Sequence, residues 1–358
     1  MGKVEIVMNI GWGLTSKCNS KCKHCYNASG MQEFKGISFE EAKKIVDKLA
    51  ENGIETINYG TGESGLIDYF WDLVEYTYNK GIIQGLTTNG SSINENTIEF
   101  VKKYMNDIDV SLDYPNEEED NDFRGSEKAW EWAINACDLL KKNNINFSIV
   151  TCMHSLNSTK ENVDKFLELC KKYNCEWRIN WFKPTGRGKF NDRLKLSVER
   201  VHDIFRYIVE NSNIVALPDP YFSAIIGLNT RVGSPCGTES FRITPNTEVV
   251  PCVYFTKEMK SISILENSYN DVINSEVMQQ VRQRDVEYCK NCEYYQYCKG
   301  GCLSRAYLEY GSINEPDAFC YKKHGIKENP LKNLKYTYEH KERKVHENYL
   351  CTLIVKPK

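Results

Sequence analysis

Three cysteines near the start of the chain, Cys18, Cys22 and Cys25 in KCNSKCKHCYNAS, follow the spacing C-x3-C-x2-C with no fourth cysteine beside them. Thiolates bind zinc and iron–sulfur clusters, and structural sites of both kinds normally take four protein ligands. A trio on one loop therefore holds a metal centre while keeping one coordination position for something else. A second array lies far downstream: Cys236 and Cys252 as C-x15-C, then Cys289, Cys292, Cys298 and Cys302 as C-x2-C-x5-C-x3-C, then Cys320. C-x2-C pairs are common zinc ligands, so spacing by itself admits zinc as well as iron.

Composition narrows the setting. The 358 residues include 15 cysteines, yet the opening MGKVEIVMNIGWGL has neither the long apolar core nor the cleavage pattern of a secretory signal, which argues against a disulfide framework. Cysteines clustered at short spacings in a reducing compartment read as metal ligands. The five outside the arrays, Cys137, Cys152, Cys170, Cys175 and Cys351, are expected to be small buried hydrophobes. A net charge of -3 gives no field to hold nucleic acid or an anionic membrane, and no stretch is long and apolar enough to span a bilayer. A cytoplasmic protein with neither partner is expected.

The elements that must position these cysteines are legible as a pattern. From residue 5 to about 210, β-rich runs alternate with amphipathic helices, the signature of an α/β fold with a parallel sheet and helical crossovers. The strands read EIVMNIGWGL, ETINYG, IIQGLTTNG, DIDVSLD, NFSIVTCM and EWRINWF. Ala42, Ile45, Val46 and Leu49 share a helical face, as do Val163, Phe166, Leu167 and Cys170, and Ser38 with Glu41 forms a capping box. The helix SVERVHDIFRYIVE completes six strand–helix units, so a partial (β/α)6 TIM-like barrel over residues 1–230 is expected. The trio follows the first strand, at the carboxyl ends where such barrels do their chemistry. EEED at 117–120 reads as a solvated loop. A small cysteine-rich domain over 231–325 and a tail over 326–358, with KYTYEHK and NYLCTLIVK as a β-hairpin, are expected to follow.

With Tyr26 behind it, the trio resembles the cluster loop of the radical S-adenosylmethionine (SAM) enzymes. The resemblance implies a 4Fe-4S cluster whose vacant iron is chelated by SAM, and an electron that cleaves the sulfonium to a 5'-deoxyadenosyl radical. YGTGES, after the second strand, is similar to the family's glycine-glycine-glutamate segment, with Thr61 at the usual second glycine; by that similarity Gly60, Gly62 and Glu63 contact the SAM amino group. SLD and RGS similarly imply that Ser111 and Arg124 hold the SAM carboxylate, with Asp113, Thr88 and Asn89 facing the same pocket. Tyr26 lines the adenine side or shields the cluster.

The downstream array, with PNTEVVPC before it and CKGGC within it, resembles the SPASM extension of radical SAM enzymes, and FKPTGRG at 182–188 is familiar in that group. The resemblance implies two auxiliary 4Fe-4S clusters, making three in all: Cys236, Cys252 and Cys302 on the first, Cys289, Cys292, Cys298 and Cys320 on the second. Some relatives add a cysteine soon after the position of Cys236. None follows here before Cys252, which leaves the first auxiliary cluster with an open iron or with a ligand the sequence does not identify. Thr247 stands where a glycine is usual.

Members of this architecture mostly modify peptides or proteins. The implied function is a maturase of a ribosomally synthesised peptide, forming a thioether or other side-chain cross-link on a cysteine-containing substrate, with flavodoxin or ferredoxin as electron donor. An anaerobic sulfatase maturase making formylglycine, or an enzyme modifying a small molecule or haem side chain, shares the architecture. A non-catalytic iron–sulfur sensor would have no use for Glu63 and Arg124 around a vacant iron. Seventeen residues precede Cys18, which leaves leader recognition to a separate leader-binding protein, the barrel mouth or the tail. There NYLCTLIVK either offers an edge strand for β-augmentation or simply finishes the domain.

Overall fold

Runs of apolar residues set between amphipathic helices can bury both faces only in a covered parallel sheet. The computed structural model, which describes residues 9–30, 36–255, 261–341, 345 and 350–358, has that arrangement. Strands β1 (Asn9–Trp12), β2 (Thr56–Tyr59), β3 (Ile83–Thr88), β4 (Asp107–Ser111), β5 (Ser148–Met153) and β6 (Glu176–Trp181) lie in sequence order and pair in parallel. The crossovers are α1 (Phe39–Glu51), α2 (Phe70–Asn79), α3 (Ile98–Tyr104), the pair α4 (Glu117–Arg124) and α5 (Ala129–Lys142), and α6 (Lys160–Tyr173). Helix α7 (Val198–Asn211) then completes the sixth unit of a partial (β/α)6 TIM-like barrel. Each strand falls within its expected run; residues 5–8 of the first run lie outside the described residues.

Local chemistry fixes the helices. Ser38 caps α1 and Glu41 reaches back to the Ser38 backbone, closing the expected capping box. The stripe Ala42, Ile45, Val46 and Leu49 is fully buried, and each of the larger three contributes about 1.5–3 kcal/mol by leaving water. The α6 stripe, Val163, Phe166, Leu167 and Cys170, is buried behind a Thr159 cap.

Three expectations are corrected. EEED is the first turn of α4, not a loop: Asn116 caps it by accepting from the Glu119 amide at 3.0 Å, and clustered acids suit the positive end of a helix. The tail strands form no hairpin, because β10 (Thr337–Tyr338) and β11 (Thr352–Pro357) lie on opposite sides of β7 (Ser212–Ala216), a strand that the sequence reading did not mark. Nor is β11 an edge: it runs antiparallel between β6 and β7, paired on both sides (Thr352 with Asn180, Val355 with Ile214). Leu353, Ile354 and Val355 are all fully buried, so both faces and both ladders of this strand are covered, and no free ladder remains there for a leader peptide. Asn348 and Tyr349 of that run lie outside the described residues.

The sheet continues into the cysteine-rich half through β8 (Ser240–Ile243), parallel to β1, and β9 (Val249–Val250), antiparallel to β8. Thr247, in the turn between them, has φ +65°, the conformation a glycine would take most easily. Its hydroxyl shares a 2.7 Å hydrogen bond with Ser263, which helps hold the turn.

Candidate active site

The loop leaving β1 carries the cysteine trio to the carboxyl end of the sheet, where backbone contacts from several elements fasten it. Lys17 accepts from the Glu63 amide at 2.9 Å, just beyond β2. The Lys21 and Lys23 amides donate to Arg124 and Phe123 at the end of α4, at 3.0 and 2.9 Å. Beyond β6, Arg187 donates from its amide to Cys25 and from its guanidinium to the Cys22 and Ser29 carbonyls, at 2.9, 2.7 and 2.6 Å. These contacts give YGTGES and FKPTGRG a physical reason. At Gly62, φ +66°, a Cβ would lie 2.5 Å from the Thr15 carbonyl; at Gly186, φ +54°, it would lie 2.2 Å from that of Tyr26. Only glycine lets either segment approach the loop so closely.

Cys18, Cys22 and Cys25 share one cavity with Tyr26, Gly60, Gly62, Thr88, Asn89, Ser111, Asp113 and Arg124. The residues expected around SAM thus converge, apart from the Glu63 side chain. Burial raises the thiol pKa of Cys18 to about 11 and of Cys22 to about 12, so iron binding must displace firmly held protons. Arg124 is buried and its Nη1 donates to Asp113 Oδ2 at 2.7 Å. Burial alone would raise Asp113, but the neighbouring His24 and the Arg124 guanidinium hold its carboxyl below the usual range. Arg124 Nε has no acceptor among the described residues. A buried, unpartnered donor beside three thiols suits the carboxylate of SAM, and the thiols suit its cluster.

Glu63 is held by the neighbouring strand end. Its buried carboxylate accepts from Thr88 Oγ1 at 2.7 Å, Ser92 Oγ at 2.6 Å and the Asn89 amide at 2.8 Å, which fastens the end of β2 to the end of β3. Thr61, in place of the usual glycine, pairs its hydroxyl with that of Tyr26 at 2.8 Å. Tyr26 also donates to the Gly60 carbonyl and packs edge-on against Tyr254.

The sequence reading missed the inner wall. Asn58, Arg178, Asn180, Lys183 and Cys152 line the same cavity, and Arg178 is ion-paired with Asp109 across the sheet. Polar residues at alternate positions in EWRINW were the available signal, since a strand's two faces repeat with period two. Cys152 is not simply a core filler: its amide donates to Asp113 and it borders the cavity. Lys183 is buried with its ammonium 4.2 Å from the centre of the Tyr254 ring.

The second array forms two neighbourhoods. Cys289, Cys292, Cys298 and Cys320 interact electrostatically as one group. Cys236 and Cys252 sit in one buried apolar cluster, and Cys302 lies close enough to interact electrostatically with both. Asp317 supports this second neighbourhood by accepting from the Cys302 amide at 2.7 Å while paired with the buried Arg305, which also binds Asp219. Among the described residues no three His, Cys, Asp or Glu side chains converge as for a single metal ion. A cubane interposes an iron between each thiolate and its core, and so spreads its ligands more widely. Cys137, Cys170 and Cys175 are buried in the main apolar core, as expected. No described helix is long and apolar enough to cross a membrane.

A parallel partial barrel with three thiols at its carboxyl end, joined to a cysteine-rich unit, defines an iron–sulfur enzyme of the radical SAM type. Residues 12–171 match the radical SAM superfamily and residues 235–293 match SPASM, an iron-sulfur cluster-binding domain; the chain is a radical SAM enzyme with a SPASM domain. It is 26% identical to a mycofactocin maturase of Mycolicibacterium smegmatis over 330 residues, covering 87% of this chain and 82% of that one. It is 27% identical to an AdoMet-dependent heme synthase of Methanosarcina barkeri, over 89% of this chain and 97% of that one. Among solved structures, SuiB of Streptococcus suis bound to its precursor peptide SuiA superposes with a TM-score of 0.70 at 15% identity, over 88% of this chain and 76% of SuiB.

Proposed function

We propose that this enzyme matures a ribosomally synthesised peptide, taking hydrogen from a side chain and closing a thioether or other cross-link on a cysteine-containing substrate. The observation that carries the reading is the reach of one cavity: it runs from Cys18, Cys22 and Cys25 to Val253 and Tyr254, directly after Cys252. A substrate held there would lie between the SAM corner and Cys252, one of the residues that would hold an auxiliary cluster and with it a supply of electron-accepting chemistry. When bound, the cluster and SAM supply the 5'-deoxyadenosyl radical. Arg124 and Ser111 orient the SAM carboxylate, Tyr26 and Gly60 form the neighbouring wall, and Glu63 keeps the β2 and β3 ends in register. Arg178, Asn180 and Lys183 face the substrate side.

The assignment uses three 4Fe-4S clusters, with the auxiliary cysteines divided as the two neighbourhoods suggest, in domains at 1–230 and 231–325. A flavodoxin or ferredoxin supplies electrons, and a separate protein or the barrel mouth recognises the leader. The mycofactocin maturase and the peptide-bound SuiB fold support a peptide substrate. The relative that acts as a heme synthase favours a second reading, modification of a small molecule at the same cavity.

Anaerobic protein loaded with iron, reduced and given SAM, separates the two. A cysteine-containing precursor peptide that loses two hydrogens, with the new bond located by fragmentation, supports the maturase. Conversion of a porphyrin side chain with every tested peptide unchanged would replace it with the small-molecule reading.

A further inference from the structure

The seven cysteines of the array leave the first auxiliary centre one ligand short, and no cysteine between Cys236 and Cys252 supplies it. The fold brings one from the far end of the chain. Cys351 immediately precedes β11, whose register sets Thr352 opposite Asn180 near the carboxyl end of β6. Its thiol lies 3.9 Å from the hydroxyl of Ser234, two residues before Cys236, and close enough to the thiols of Cys302 and Cys236 to interact with both electrostatically. Cys236, Cys252, Cys302 and Cys351 are all 3% exposed or less. Four thiols therefore meet in one buried neighbourhood, three of them already assigned to the same centre.

We infer that Cys351 is the fourth protein ligand of the first auxiliary 4Fe-4S cluster. The inference rests on the SPASM assignment of the other three. Each thiol gives up its proton as its sulfur–iron bond forms, so the ligand set is four thiolates. The tail is then part of the iron–sulfur unit, and β11 is the element that holds its ligand in place. With every iron protein-ligated, a substrate thiolate has no open position at this cluster, which leaves it the role of electron acceptor. Leu350, beside Cys351, lines the main cavity and carries this centre up to the substrate wall.

The test uses the full chain in a Cys18→Ala, Cys22→Ala, Cys25→Ala background, which removes the cluster whose iron is open by design. After anaerobic loading, iron content and the electron paramagnetic resonance of the reduced protein are measured with and without cyanide, a small ligand for open iron sites. The parent is expected to hold two clusters and to ignore cyanide. Cys351→Ala is expected either to gain a cyanide-sensitive signal or to lose one cluster's iron while the other signal persists, and Cys351→Ser to retain iron with a shifted spectrum. Cys175→Ala, at an unrelated buried thiol, serves as the control and is expected to match the parent. A parent that already responds to cyanide, or a Cys351→Ala protein indistinguishable from it, overturns the proposal. If Cys351→Ala does not fold, the parent's response to cyanide decides alone. A parent that binds no iron fails earlier, and overturns the auxiliary-cluster assignment itself.

Discussion

Arg124 concentrates the residue-scale chemistry: a buried guanidinium beside the thiol trio, held by Asp113 and with Nε unpartnered among the described residues. Replacing it with glutamine leaves Asp113 charged and buried, so stability is expected to fall by about 3 kcal/mol, and SAM affinity by about tenfold, the equivalent of about 1.4 kcal/mol. Combining Arg124→Gln with Asp113→Asn is expected to restore stability in denaturant melts without restoring SAM binding in calorimetry. Recovery of both would make Arg124 a structural residue only. Arg124 was legible because it stands in a recognisable segment, RGS, not far beyond a strand end. Arg178 was not, because its meaning depends on which face of β6 meets the cavity, nor was Lys183, whose place depends on the path of the chain beyond β6. Cys351 was hidden because nothing in its local sequence points to Cys236, Cys252 and Cys302, which lie in other segments of the chain.

At the scale of elements, α4 shows how a misread segment does its work. Its acidic first turn looked like a solvated run, yet Asp120 is buried and accepts from the Asp113 and Tyr114 amides at 2.8 and 3.1 Å. Asn116 was the missed signal, a capping residue directly before the acids. Burial raises the Asp120 pKa to about 7, partly opposed by Arg124. Between its unfolded value of 3.8 and about 7 the folded state holds this proton more tightly than the unfolded state, so this group's contribution to stability falls as pH rises through that window. Asp120→Asn keeps an accepting oxygen and removes the titration. Denaturant melts at about pH 5 and about pH 7 are expected to show a smaller loss of stability in the variant than in the parent; equal slopes would mean that Asp120 is ionised throughout. The six barrel strands were legible because each is a short β-rich run set between amphipathic helices. β7 was missed because SNIVA follows α7 with no intervening residue, although Asn211, Ser212 and Asn213 carried a turn signal.

For the whole molecule, the tail decides whether the sheet is complete. β11 fills the space between β6 and β7, so deleting residues 350–358 strips a ladder from each and removes the buried Leu353, Ile354 and Val355. At about 1.5–3 kcal/mol for each side chain, the loss of metal-free stability is expected to reach several kcal/mol, measured by denaturant midpoint. An unchanged midpoint would mean that the strand is an appendage. Pairing across such a distance leaves little local trace: the apolar run was visible as a strand, but its partners were not. The central claim, that the radical is spent on a peptide side chain, is tested most directly by isotope transfer. Precursor peptide deuterated at its side-chain carbons is incubated with loaded, reduced enzyme and SAM, and the 5'-deoxyadenosine is weighed by mass spectrometry. Deuterium in the deoxyadenosine, in step with peptide lighter by the hydrogens lost on cross-linking, is the predicted result; deoxyadenosine that forms without deuterium while the peptide stays intact would contradict it.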